Sequence, residues 1–271
     1  IIMKRLSFMV SMAMLISCIA SCDSGSDAVS YGVGSLSLGL SANPSFAEKT
    51  RSVSEAEYKK VDNYQVTVNE GDGTSLYDGL YKDMPLSIDL TAGKKYTVKA
   101  FYGDNVDAGF DKLYVEGSQE FTVSEGEQKN VILYCKPANV KVSVVYTEDF
   151  LKYYSDCTVS LSTSHLTAPF EVNMKKDSGK DAYLKANADG ENVSITVGGF
   201  KDKEGNAVVM EALVAEKKVA PKTHLTITVD PEVITISTGT ASLDVTVDTG
   251  TEDKDVNIEI PEEYWPGNAS K

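Results

Sequence analysis

Apolar and polar residues alternate in short bursts along most of this chain. Leu36, Leu38 and Leu40 alternate with Ser35, Ser37 and Gly39. Tyr64, Val66 and Val68 alternate with Gln65 and Thr67, and Tyr96, Val98, Ala100 and Tyr102 with Lys95, Thr97 and Lys99. A period of two sends successive side chains to opposite faces, so each burst predicts a half-buried strand. The same reading places strands at Leu86–Leu90, Phe121–Val123 and Val131–Cys135. Clusters of glycine and acid, such as Glu70-Gly71-Asp72-Gly73 and Ser124-Glu125-Gly126-Glu127, supply the turns between them.

A second series begins after Lys136-Pro137-Ala138, where proline predicts a joint because it cannot donate to a central ladder. Its strands are expected at Val140–Tyr146, Cys157–Leu161, Phe170–Met174, Val193–Val197, Val208–Val214, Leu225–Val229, Val233–Ile236, Leu243–Val247 and Val256–Ile260. Two short helical stretches interrupt the pattern. One covers 55–60, where Ser54-Glu55-Ala56-Glu57 has capping-box form; the other covers 148–154, with Phe150 inward. Regularly spaced strands with turns between them predict an all-β protein of two tandem β-sandwiches. These span 34–136 and 137–260, with a tail at 261–271.

The opening of the chain follows a different rule. Ile1 and Ile2 read as lying upstream of a start at Met3. Lys4 and Arg5 then precede an apolar run from Leu6 to Ile16 and the small residues Ala20 and Ser21. That order predicts a signal peptide over 1–21, and the run is shorter than the roughly 20 residues a bilayer span needs. Ile19-Ala20-Ser21-Cys22 has the form of a bacterial lipobox, which predicts a lipidated mature N-terminus at Cys22. Cys18, after Leu15-Ile16-Ser17, is the runner-up. Acyl chains anchor firmly, each buried CH2 contributing about 0.8 kcal/mol, so a membrane becomes the first expected partner. Residues 22–33, rich in Ser, Gly and Asp, read as a flexible tether.

Charge and chemistry narrow the function. The chain carries 26 basic and 40 acidic residues, a net charge of −14, and the leader contains Lys4 and Arg5 but no acid. Nucleic acid and anionic membrane surfaces are poor partners for such a chain. The two histidines, His165 and His224, are far apart and lack zinc spacing. No nucleophile elbow, His-Glu-x-x-His helix, Walker loop or Rossmann glycine run occurs. No enzyme activity, cofactor or metal is therefore expected. Asp104, Asp107 and Asp111, and Asp202, Glu204 and Asn206, do not follow the twelve-position calcium loop and read as solvated turns. A Cys135–Cys157 disulfide would contribute about 3 kcal/mol by loop closure. Each cysteine shares a strand face with apolar neighbours, however, Val131 and Leu133 or Val159 and Leu161, which favours two buried free thiols.

Several stretches carry a family resemblance. Thr91-Ala92-Gly93-Lys94-Lys95-Tyr96-Thr97-Val98-Lys99-Ala100 resembles the strand pair of fimbrillin-like proteins. Phe121 to Glu127 with Val131-Ile132-Leu133, and Asn139 to Val144 with Tyr153 to Val159, continue it. Together, over roughly 34–230, they resemble a Bacteroides lipoprotein family described as domain of unknown function 4493. The resemblance implies transthyretin-like or immunoglobulin-like sandwiches and export to the outer membrane. It also implies a structural or adhesive role at the cell surface, as a pilus anchor or accessory subunit. Other fimbrillin-like subunits, or a host or glycan surface, would be the partners. It places Arg51, in Thr50-Arg51-Ser52, where a trypsin-like protease frees a groove for a donor strand; from the residues alone Arg51 reads first as an exposed loop residue, since one arginine is a weak signal. The alternative function is glycan binding by a surface lipoprotein of a nutrient-capture system. That needs a platform of exposed aromatics. Phe101, Tyr102 and Phe110 are the nearest candidates, although strand parity turns Tyr102 inward, and Tyr264 and Trp265 form a further aromatic pair in the tail.

Overall fold

The computed structural model describes residues 32–46, 55–209 and 212–230, and the backbone of 233–240 and 256–259. The described residues form one compact unit. Its strands are β1 (Val33–Ala42), β2 (Gln65–Glu70), β3 (Ser75–Leu80), β4 (Ile88–Thr91), β5 (Lys95–Gly103), β6 (Ala108–Phe110), β7 (Tyr114–Thr122) and β8 (Gln128–Pro137), followed by β9 (Asn139–Tyr146), β10 (Tyr154–Ser162), β11 (Phe170–Asn173), β12 (Ala182–Lys185), β13 (Glu191–Asp202), β14 (Leu213–Val219), β15 (Thr223–Val229), β16 (Val233–Thr240) and β17 (Val256–Glu259). Three short helices, α1 (Glu55–Tyr58), α2 (Glu148–Tyr153) and α3 (Met174–Asp177), punctuate them. The chain is all-β, as its alternation predicts.

The first eight strands, less β6, form one sheet in the order β3-β2-β5-β7-β8-β1-β4. β7 and β8 bond only at Val115↔Pro137 and Glu116↔Lys136, so the sheet folds over at that corner. Its two wings close on one core. Val66, Val68, Tyr96, Val98 and Phe121 come from one wing, and Leu36, Leu90, Val131, Leu133 and Cys135 from the other. Gly117 sits at the corner, where a β-carbon would lie 3.0 Å from the Tyr134 carbonyl oxygen and 3.1 Å from the Cys135 sulfur. The missing side chain lets β7 pass close over β8.

A second core lies between a four-stranded sheet, β11-β10-β13-β14, and a six-stranded one, β17-β16-β15-β9-β12-β6. Val159, Leu161, Val172, Ile195 and Val197 face Val140, Val142, Leu184, Leu225 and Ile227 across it. The two halves share a device. In each, the opening strand lies parallel to a late one: β1 beside β8, and β9 beside β15. The Thr147 hydroxyl caps α2 by accepting from the Phe150 amide at 3.1 Å, and Phe150, fully buried, stacks on Tyr154 at 4.7 Å.

Four elements depart from the sequence expectation. The stretch 103–111, whose aspartates read as solvated turns, contains β6, which joins the sheet of the other half by pairing with β12 and packs Ala108 and Phe110 against the second core. The stretch Ala-Gly-Phe is too short to show a period. β3 is largely solvated and β12 is buried on both faces, so neither alternates. The strand expected at 208–214 is displaced to β14, leaving Val209 91% exposed. The strand expected at 243–247 and the tail at 261–271 lie outside the described residues.

Gly117→Val is expected to lower stability by about 1–3 kcal/mol, because a branched side chain must fit against the β8 backbone. Gly117→Ala should cost less. Urea melts of the two variants decide this, and equal midpoints with the parent would contradict the close crossing.

Candidate functional site

Two places bring together the residues on which a surface role would turn: the slot that holds β1, and the buried polar face beneath it. β1 lies between two strands, antiparallel to β4 over Val33–Leu36 and parallel to β8 over Ser35–Ala42. Backbone bonds pin it along its length. Gly32 accepts from Ala92 at 2.7 Å, Ser35 donates to Glu127 at 2.8 Å and Asn43 donates to Cys135 at 2.9 Å. Leu36 is fully buried, and Leu38 and Leu40 pack against the same core. The Tyr81 hydroxyl donates to the Leu38 carbonyl at 3.1 Å. Beyond β1 the chain delivers Phe46, 6% exposed, edge-on to Tyr183 at 6.1 Å.

Phe46 leads to the second place. β9 and β12 are covered on both faces. Val140, Val142, Ala182 and Leu184 point into the second core, so Asn139, Lys141, Ser143, Asp181 and Tyr183 take the opposite face. Ala182 lies opposite Val142 and His224 opposite Lys141, which brings four polar side chains together. Lys141 pairs with Asp181 at 3.0 Å and sits 5.9 Å from the Phe46 ring centroid. The Ser143 hydroxyl donates to Asp181 and lies 2.8 Å from His224 Nε2. A hydroxyl has one hydrogen; with it on the carboxylate, Nε2 donates to the serine oxygen.

Serine, histidine and aspartate thus meet, but in the wrong order for nucleophile activation. A catalytic base must accept the serine proton and a carboxylate must orient the base. Here the carboxylate takes the serine proton directly, and Asp181 and His224 are 7% and 2% exposed. The arrangement satisfies buried polar groups. His165 lies elsewhere, 3.5 Å from Glu191.

The remaining candidates separate. Cys135 belongs to the first core and Cys157 to the second; both are buried free thiols, and the disulfide left open by the sequence is not formed. Burial pushes each thiol up to about 12. Asp104 pairs with Lys112 at 2.6 Å and Asp107 with Lys185 at 3.4 Å, so those carboxylates do not converge. Asp202 accepts from the backbone and side chain of Asn206 at 2.7 and 3.0 Å, which holds its carboxyl below the usual carboxylate range. Among the described residues no cluster of three or more His, Cys, Asp or Glu could hold a metal. Phe110 leaves the expected aromatic platform to pack on Phe170 at 4.9 Å, whereas Phe101 and Tyr102 stay together at the rim of β5. Cys22, Cys18, Arg51, Tyr264 and Trp265 lie outside the described residues. Among the described residues no helix is long and apolar enough to cross a membrane.

Lys141→Met is expected to destabilise by about 3–5 kcal/mol, since it leaves Asp181 buried without its cation. Adding Asp181→Asn should recover part of the loss. Single and double variants that all melt within 1 kcal/mol of the parent would refute the coupling. The thiols should resist iodoacetamide in the folded protein at pH 8. They should also weaken it in alkali: their contribution is intact below about pH 9 and falls as pH rises toward 12, because the unfolded thiol ionises first. Rapid native alkylation would contradict this burial.

Comparison with known proteins gives the family. No curated protein matches the chain. Among solved structures, a fimbrial assembly protein from Parabacteroides distasonis is 15% identical, with a TM-score of 0.40, covering 78% of this chain and 96% of its own. A candidate cell adhesion protein from Bacteroides eggerthii is 13% identical, with a TM-score of 0.36, over 84% of this chain and 96% of its own. A candidate adhesin from Bacteroides ovatus is 11% identical, with a TM-score of 0.38, over 87% and 98%. A family model described as a domain of unknown function, DUF4493, matches residues 32–262, most of the chain, and the chain belongs to that family.

Proposed function

We propose that this protein is a lipid-anchored structural or adhesive component of the bacterial cell surface, fimbrillin-like, serving as a pilus anchor or accessory subunit. The leader and lipobox ending at Cys22 support export and anchoring to the outer membrane. The observation that carries the assembly reading is the β1 slot. One ten-residue strand fills a gap between β4 and β8 with backbone pairing on both sides. Arg51 follows Phe46 closely in sequence, so a cut after Arg51 would release β1 and Phe46 together.

The energetics favour replacement of such a strand over an empty slot. Full burial of a leucine contributes about 1.5–3 kcal/mol. Losing Leu36 and the half-buried Leu38 and Leu40 would remove a large part of the roughly 5–15 kcal/mol that stabilises a domain. Unpaired backbone along β4 and β8 would then accept an extended strand from a neighbour. A subunit that keeps β1 would act as an anchor or stand-alone adhesin, and one that loses it would accept a partner.

Two measurements test this reading. Intact mass and N-terminal analysis of the membrane fraction should find an acylated Cys22, and an unmodified N-terminus near Ala20 would refute the anchor. Separately, a chain lacking residues 33–46 should be soluble and folded only when a peptide with the sequence of Val33–Ala42 is supplied. A deletion variant that is monomeric and as stable as the parent without peptide would refute the acceptor slot.

A further inference from the structure

The end of β5 carries a surface depression of about 400 Å3, within the size range of small-ligand sites. Three aromatic side chains line it, Tyr58, Phe101 and Tyr102, together with three planar polar ones, Asn63, Gln65 and Asp104. Gln65 and Phe101 are direct cross-strand neighbours on β2 and β5, which sets a ring beside an amide.

The rings are held before any ligand arrives. Tyr58 stands edge-on to Tyr102 at 5.0 Å, and Tyr102 packs on Tyr64 at 5.5 Å. The Tyr64 hydroxyl donates to the Tyr58 carbonyl at 2.6 Å. Gly103, at φ +99°, lies under the Tyr58 ring: a β-carbon there would be 3.1 Å from Tyr58 Cε1 and 2.1 Å from the Leu113 carbonyl oxygen. On the other side Phe101 packs on Tyr114 at 6.1 Å with the Lys99 ammonium 5.7 Å from its centroid. Rigid rings lose little entropy on contact with a ligand.

The chemistry selects a class of ligand. β2 pairs with β3 and β5, and β5 with β2 and β7, so the strands that carry Gln65 and Phe101 offer a peptide no free edge; only β3, which ends at Leu80 beside the depression, has an outer edge. Recognition falls to side chains. Burial and the nearby carboxylates of Asp104 and Asp111 raise the Tyr58 phenol above its usual range, so it remains a donor. The same carboxylates disfavour an anionic ligand. Asp104 Oδ2 is taken by Lys112 at 2.6 Å and Gln65 Nε2 donates to Asp78 at 2.6 Å. That leaves Asp104 Oδ1 and the Gln65 side-chain carbonyl as acceptors for the kind of donor a hydroxyl supplies. Flat apolar faces beside fixed acceptors and amides match a pyranose ring, which has an apolar C–H face and a rim of hydroxyls.

We propose that this rim is a carbohydrate-binding subsite for a neutral pyranose of a surface oligosaccharide. The sugar face lies against Tyr58 and Phe101, and its hydroxyls meet Asn63, Gln65 and Asp104. The proposal deepens the adhesive reading given above and rests on it for its biological setting, but binding itself does not require an anchor or a pilus.

The experiment is titration calorimetry of the folded chain after Cys22 with neutral gluco-, galacto- and manno-oligosaccharides, and with sialylated oligosaccharides for comparison. At least one neutral series should bind. Phe101→Ala and Asp104→Ala should each weaken it tenfold or more, while Tyr134→Ala, an exposed aromatic on β8, should leave it unchanged. Asp104 is exposed, so its variant keeps the test valid if Phe101→Ala fails to fold. Absence of binding by every neutral series, preference for the sialylated ones, or equal affinity of the Asp104 variant would overturn the proposal. A cell-adhesion assay of the same variants separates the two readings. Adhesion that survives the rim variants sinks the subsite and leaves the adhesive role standing.

Discussion

Burial of β9 and β12 on both faces is the constraint from which the rest of the molecule follows. A strand covered on one side can send its polar residues to water, but these two have no solvent face at their centre. Lys141 and Asp181 therefore have to meet inside the protein, with Ser143 and His224 completing the set. Removing two charges from water is costly, and their attraction offsets that cost only with good geometry and further hydrogen bonds. The register of three strands supplies that geometry. A slip of one residue would drive Val140 and Val142 onto the polar face and Lys141 into the second core, so the pair also fixes the register.

The same face explains why the halves do not behave as beads on a string. Tyr183 belongs by sequence to the second half and by packing to the first core, while β6 does the reverse. Phe46 closes the junction over Tyr183 and Lys141. The segment that follows β1 thus covers the polar network. Any event that withdraws β1 and Phe46 together would open a hydrophobic slot and expose one side of a buried ion pair at once, coupling the two places more tightly than distance along the chain suggests.

Much of this was legible from the pattern of residues, and the exceptions have physical reasons. Strands with one wet face, such as β5 and β8, announce themselves through Tyr96, Val98 and Ala100 or Val131, Leu133 and Cys135. The parallel pairing of β1 with β8 has no local signature, because the partners lie far apart in sequence. The polar network was hidden for the same reason: Asp181, Ser143 and His224 meet only through strand register. The aromatic rim was half visible. Phe101 and Tyr102 stand out as adjacent rings, but parity places them on opposite faces. They line one depression because β5 ends there at Gly103 and α1 brings Tyr58 across.

The slot and the rim would recognise partners by different physics. At the slot the chain would offer backbone N–H and C=O groups in a row, and any extended strand with alternating apolar residues can satisfy them. Its specificity comes from side-chain fit at a few positions such as the one Leu36 fills. At the rim the two strands that carry Gln65 and Phe101 are paired on both sides, so discrimination depends on ring faces and on a few fixed acceptors. A missing or misplaced hydroxyl there leaves an acceptor such as Gln65 or Asp104 without the donor that water had supplied, and each unmet group counts against binding. The slot therefore suits tight assembly with a subunit of the same kind, and the rim suits reversible contact with a chemically distinct surface. A single small fold can hold both without conflict because two strands, β7 and β8, separate β5 from β1 in the sheet order.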